Sequence, residues 1–233
     1  AANHGVNRAG MLADLKNLPP RSIVVLHACC HNPTGVDLSL DDWQAVLDVV
    51  REREHVPFLD IAYQGFGDGI EQDAAAVRLF ADSGLNFLVS SSFSKSFSLY
   101  GELVGALSIV TNSKEEAGRV LSQAKRVIRT NYSNPPTHGA TVVASVLNSV
   151  ELRAMWEQEL GEMRERIRDM RMANGWGDGM SIGAADGSVT VVASGKDPWN
   201  PLPTMASTER ATRSVSVKPG QMQAVWRPLP ARS

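Results

Sequence analysis

Ser90-Ser91-Ser92-Phe93-Ser94-Lys95-Ser96-Phe97-Ser98-Leu99-Tyr100-Gly101 is the stretch on which the fold of this chain turns. An apolar run, Phe87-Leu88-Val89, leads into it, and a second, Leu103 to Val110, follows. The pattern is that of a buried strand delivering one lysine to a loop crowded with hydroxyls. An amine with a reference pKa of about 10.4 is a poor nucleophile until burial or a neighbouring charge lowers that value. Imine-forming enzymes need such a lysine, with hydroxyls beside it to hold an anion. A solvated surface loop is the plainer interpretation of the same residues. Two upstream segments decide between them: His27-Ala28-Cys29-Cys30-His31-Asn32-Pro33-Thr34-Gly35 and Asp60-Ile61-Ala62-Tyr63-Gln64-Gly65-Phe66.

Each segment follows an apolar run. Ser22 to His27 is continuous enough for a strand buried on both faces of a parallel sheet. Ser39 then opens a helix with Asp41 and Asp42 in its first turn, at the positive end of the dipole. Trp43, Val46, Leu47 and Val50 give that helix one face to bury. Pro57 to Ile61 is the next strand, and a helix is expected from about Glu71 to Ser83, stopped by Gly84. Strand alternating with helix predicts an α/β fold with a mostly parallel sheet flanked by helices. Ligands of such sheets lie beyond the carboxyl ends of the strands. That rule alone places Asn32, Asp60 and Lys95 at one site.

Downstream the chain turns helical. Ser113 and Glu116 form a capping-box pattern for a helix to about Ile128, and Tyr132-Ser133-Asn134-Pro135-Pro136 breaks it. A helix over about Gly139 to Asn148 follows. Leu152, Trp156, Met163, Ile167 and Met170 then mark a long amphipathic helix. From about Ala173, Gly, Ser, Thr, Pro and Asn dominate, and Val189 to Ala193 is the one strand-like run. Such a composition rarely buries enough surface to offset chain entropy.

The three segments, in this order and spacing, resemble the aspartate and aromatic amino-acid aminotransferases, which are pyridoxal-phosphate (PLP) enzymes of the type I fold. The resemblance runs from about Gly10 to Met172. It implies a partial PLP-binding large domain over 1–138, helices linking toward a small domain over 139–172, and an atypical, poorly structured tail over 173–233. Lys95 would hold the cofactor covalently and carry a proton between substrate and cofactor. Asp60 would pair with the pyridine nitrogen, and Tyr63 would donate to the ring's phenolic oxygen. Asn32 would hold that oxygen from the other side, bordering the substrate as well. Ser92 and Ser94 resemble hydroxyls that contact the cofactor phosphate, while His27 and His31 pack behind the ring. Arg129 matches an arginine that reaches into a partner subunit's site and pairs with a dicarboxylic substrate, as a planar two-pronged donor can. The resemblance therefore implies a homodimer acting on an amino acid and a 2-oxo acid. It also implies a cis Asn32-Pro33 bond, and one cavity bordered by Asp60, Tyr63 and Lys95.

Three departures point to low or no activity for this chain. Gly101-Glu102-Leu103-Val104-Gly105 carries leucine where the family pattern has a phosphate-clamping arginine. Arg210, Arg213, Arg227 and Arg232 lack the flanking motif of the family's α-carboxylate arginine. The N-terminal half of the large domain, with its glycine-rich phosphate loop, has no counterpart. A lyase or decarboxylase on the same fold, or a non-catalytic remnant, are the alternatives.

Composition excludes other classes. The 233 residues, 43% hydrophobic and 21% charged with a net charge of −2, suit an ordinary globular surface. No basic stripe suggests nucleic acid, and no apolar run suits a membrane span. The first residue, Ala1, suggests a fragment or a processed chain, and no signal peptide is visible. The two cysteines are adjacent, which fits reduced, cytoplasmic surroundings. The five histidines show no metal-ligand spacing.

Overall fold

The computed structural model describes residues 5–173. Beyond Ala173, the tail expected from the sequence lies outside the described residues. The elements in chain order are α1 (Arg8–Asn17), β1 (Ile23–His27), α2 (Leu40–Glu52), β2 (Val56–Ile61), α3 (Ile70–Asp73), α4 (Ala75–Asp82), β3 (Phe87–Ser92), β4 (Gly105–Val110), α5 (Lys114–Asn131), α6 (His138–Asn148) and α7 (Val150–Ala173). The strands form one sheet in the order β1-β2-β3-β4. β1, β2 and β3 are parallel, each pair linked through helices, and β4 runs antiparallel to β3. Only a single 3-10 turn, Tyr100–Glu102, separates β3 from β4, and a short connection suits antiparallel pairing, whereas a parallel strand needs a longer crossover. Among the described residues, no helix is long and apolar enough to cross a membrane.

One face of the sheet builds the core. Val24, Leu59, Ile61, Phe87 and Val89 pack against Trp43, Val46, Leu47 and Val50 of α2 and Phe80 of α4. Phe80 is the hub, with its ring centroid 6.2 Å from Trp43, edge-on, and 5.9 Å from Phe87. Burial of side chains of this size contributes about 1.5–3 kcal/mol each. α2 starts on a complete capping box, in which the Ser39 hydroxyl accepts from Asp42 N and the Asp42 carboxylate accepts from Ser39 N. The acidic first turn is therefore a cap as well as a dipole partner. At α5, Ser113 Oγ accepts from Glu116 N, while the Glu116 carboxylate takes a hydrogen bond from Asn86.

Two expectations need correction. β1 is not buried on both faces: Val24 is buried, but Ile23 and Val25 are 68% and 62% exposed. It is an edge strand, and α1, α2 and α4 lie on the opposite side, so among the described residues nothing covers these two. The single helix expected over 71–83 is two, α3 and α4, with Ala74 between them. Asp73 accounts for the break. Its carboxylate is buried and accepts from Gly65 N at 2.7 Å, Gly67 N at 3.0 Å and Asp68 N at 2.8 Å, drawing the loop after β2 onto α3. Gly84 sits where a stop was expected, with φ of +75°.

α7 does more than lead away from the sheet. Leu160 is fully buried against Gly65, whose φ is +95° and where a Cβ would come within 2.4 Å of Leu160 Cδ2. Arg164 donates to Gly65 O at 2.9 Å. Trp156 donates to Ser96 O at 2.7 Å and stacks on Phe97 with centroids 4.5 Å apart. One helix thus holds the loop after β2 and the loop carrying Lys95.

Asp73→Ala should lower the unfolding free energy by about 3 kcal/mol, because three amide donors lose a charged acceptor together. Asp73→Asn should cost less. Urea unfolding of the three proteins checks this, and a loss below about 1 kcal/mol for alanine would show that water serves these amides as well.

Candidate functional site

The site forms where β1, β2 and β3 end. Asp60 lies in a cross-strand row with His27 and Ser90, in register on both sides. Beyond β1 the chain turns sharply: Cys30 has φ of +50° and the Asn32-Pro33 bond is cis, as expected. The Asp37 carboxylate holds that turn by accepting from Cys30 N at 2.6 Å and His31 N at 2.8 Å. Beyond β2 comes Tyr63, in a loop fixed by Asp73 and α7. Beyond β3 comes Lys95, in a turn closed by Phe97 N to Phe93 O and Ser98 N to Lys95 O.

These loops meet. Lys95 Nζ lies 5.2 Å from the centroid of the Tyr63 ring, near enough for a cation–π attraction. Asn32 Nδ2 donates to Tyr63 Oη at 3.4 Å, a long bond. Asn32, Tyr63 and Lys95 border a cavity of about 370 Å³, whose walls also include Cys30, His31 and Phe66. Tyr100, Ile167 and Arg171 close another side. An amine, a phenol and an amide around an aromatic-walled space form a donor set suited to a small planar, oxygen-bearing ligand.

Other expected site residues lie elsewhere. Asp60 is half-buried and is not among the residues lining this cavity, contrary to expectation. Its carboxylate accepts from Ser90 Oγ at 2.6 Å. Ser92 and Ser94 are also absent from the lining. Ser92 Oγ turns back on its own loop to accept from Ser94 N at 3.2 Å. Ser92 instead faces a separate cavity of about 490 Å³, with Ile61, Phe97, Val143 and Trp156 around it. Arg129 is exposed on α5, where it donates to Ser133 Oγ, and is not brought to Lys95 in this chain. Leu103 is 45% exposed and left-handed, with φ of 50° and ψ of 39°.

Several lining residues escaped the sequence pattern. Tyr100 lay in the lysine stretch without a signal of its own. Ile167 and Arg171 are four apart on α7, so they share a face, but their partner surface is set only by how α7 docks. Asp37 could be suspected only from the tight turn it closes.

The histidines sit as a pair behind the amide. The His27 and His31 rings are 4.9 Å apart, and His27 Nδ1 lies 3.4 Å from Asn32 N, in line to accept from it. His31 Nδ1 pairs with Thr34 Oγ1 at 2.7 Å. Burial lowers the His31 pKa from its usual 6.5, and the neighbouring His27 lowers it further, against a smaller opposing pull from Asp37.

The family described as aminotransferase class I and II matches residues 1–173. An aspartate aminotransferase of Pseudomonas aeruginosa is 81% identical over 173 residues, covering 74% of this chain and 44% of that protein. An aromatic-amino-acid aminotransferase of Escherichia coli is 59% identical over 170 residues, covering 73% and 43%. Among solved structures, an aromatic-amino-acid aminotransferase from Burkholderia pseudomallei covalently bound to pyridoxal phosphate superposes with a TM-score of 0.71 at 73% identity. That superposition covers 72% of this chain and 42% of the other. The chain spans less than half the length of these relatives.

His31 should titrate below 6.5 in the folded chain, read from its imidazole proton shifts by NMR. The sign follows from the depressed value. As pH falls through 6.5, the unfolded chain takes up its proton first, so stability declines toward the folded pKa and then levels. His31→Gln should flatten that decline, and a His31 pKa above 6.5 would contradict the burial argument.

Proposed function

Because the chain belongs to the aminotransferase class I and II family, we propose that it forms part of a PLP-dependent enzyme transaminating between an amino acid and a 2-oxo acid. The amino acid is aspartate or an aromatic one, the range spanned by the names of its relatives, with glutamate added by the family resemblance. One observation carries the reading: Lys95, Tyr63 and Asn32, from three separate loops, border a single cavity at the carboxyl ends of the parallel strands.

PLP supplies an electron sink that lets the proton on the substrate's Cα leave. Lys95 would hold the cofactor's aldehyde carbon, and its free amine would accept the substrate's Cα proton on Nζ and hand it on. Tyr63 Oη and Asn32 Nδ2, already within 3.4 Å of each other, hold the ring's phenolic oxygen from two sides. Asp60 serves the ring nitrogen, and its bond from Ser90 fixes the carboxylate for that role. Ser92 and Ser94 offer hydroxyls to the phosphate, and Ser92 Oγ can donate while still accepting from the Ser94 amide. Arg129, exposed and outside this cavity, serves the carboxylate of a substrate held by a second subunit, so turnover needs a homodimer.

By itself the chain should turn over little. Leu103 stands where the resembled family has a phosphate-clamping arginine, and a charge-assisted bond of that kind contributes about 1.5–3 kcal/mol. Incomplete positioning at the reacting atoms costs on the order of a hundredfold in rate for each ångström.

Titration with PLP should give a near-ultraviolet to visible band, and borohydride reduction should leave the pyridoxyl group on Lys95 in peptide maps. Lys95→Ala should abolish both signals. A label distributed over several lysines, or one undiminished in Lys95→Ala, would sink the proposal. Leu103→Arg should tighten PLP binding by about tenfold or more. It should not by itself restore turnover with aspartate and 2-oxoglutarate in a coupled assay.

A further inference from the structure

We propose that Cys29 and Cys30 form a chelating dithiol site for trivalent arsenicals, reached through the cavity that Cys30 lines. The inference is independent of the proposed function, since it uses neither cofactor nor substrate. The chain has two cysteines, so every thiol reaction is assigned without ambiguity. In an extended strand, adjacent side chains point to opposite faces. Here they do not diverge: the Cys29 and Cys30 sulfurs and an Asp73 carboxylate oxygen all lie within 4.8 Å of one another. The cause is local. Cys30 adopts φ of +50° just after β1, and the Asp37 carboxylate fixes that turn through Cys30 N and His31 N. The two thiols thus lie together at a turn whose backbone Asp37 fixes.

The ligand class follows from how many donors are free. The Asp73 carboxylate already accepts from Gly65, Gly67 and Asp68 amides, and turning it toward an ion would release that loop. Two sulfurs then remain. Structural zinc takes four ligands, so a two-sulfur site does not suit it. Thiolates select soft partners, and a monosubstituted trivalent arsenical is satisfied by two sulfurs. Its reaction balances without an oxidant. Two As–S bonds form, the arsenic–oxygen bond breaks, both thiol protons leave with that oxygen as water, and arsenic stays trivalent. Hydrogen bonding to Cys30 and burial push the Cys29 thiol strongly up, which keeps it protonated and ready to supply one of those protons. Access is through Cys30, half-buried on the wall of the cavity that also holds Lys95 and Tyr63.

The test is intact-mass analysis of the reduced full chain, under native conditions, titrated with phenylarsine oxide. One phenylarsenic group per chain is expected, removed by excess 2,3-dimercaptopropanol and resistant to an equal concentration of a monothiol. Cys29→Ala and Cys30→Ser should each weaken binding by about a hundredfold or more, because closing the second bond is an intramolecular step. No adduct on the native chain, an adduct that forms only in denaturant, or binding kept within about tenfold by either variant would each overturn the proposal. Cys29 is buried and its replacement can unfold the chain. In that event, half-buried Cys30→Ser and the native-against-denatured comparison on the unaltered chain decide the matter alone.

Discussion

The docking of α7 is the constraint on which the site depends. Three of its side chains, Trp156, Leu160 and Arg164, hold the loop after β2 and the loop carrying Lys95. The magnitudes favour this clamp over the charged surface. Truncating a buried leucine such as Leu160 costs about 2–5 kcal/mol. An exposed ion pair such as Arg21–Glu54, with side chains 77% and 65% exposed, is screened by water and adds little. Asp73 reinforces the same loop from the sheet side through three amide bonds. A long helix remote in sequence therefore sets how far Lys95 stands from Tyr63.

The sheet supplies the rest. Three parallel strands end at one edge, which brings loops separated by about 30 residues each to a common cavity. The antiparallel β4 lets the chain return directly, so Lys95 sits in a compact turn and not in a crossover. The open face of β1, with Ile23 and Val25 exposed, belongs to the same picture: among the described residues nothing covers it, and the matched region makes up 44% of a relative's length.

Much of this was legible in the sequence because it depends on short-range rules. Apolar runs marked the four strands, Ser39 and Ser113 marked helix starts, and strand ends placed Asn32, Asp60 and Lys95 at one edge of the sheet. What escaped depends on side-chain direction and long-range docking. Asp60 sits at the expected strand end and accepts from Ser90, but it is not among the residues that line the cavity. Ser92 Oγ accepts from the Ser94 amide of its own loop and lies outside the lining of the Lys95 cavity. Asp73 reads as an ordinary helical residue, although its inward turn splits the expected helix. Ile167 and Arg171 reach the cavity only because α7 crosses both loops, which no local pattern specifies.

The central claim is that the Lys95 and Tyr63 loops, clamped by α7, form one cofactor cavity. A crystal structure of the chain grown with saturating PLP tests it most directly. The account predicts electron density continuous from Lys95 Nζ into the cofactor, with Tyr63 and Asn32 at its border. Cofactor density in the separate cavity beside Ser92 and Trp156, or none in the Lys95 cavity, would contradict it.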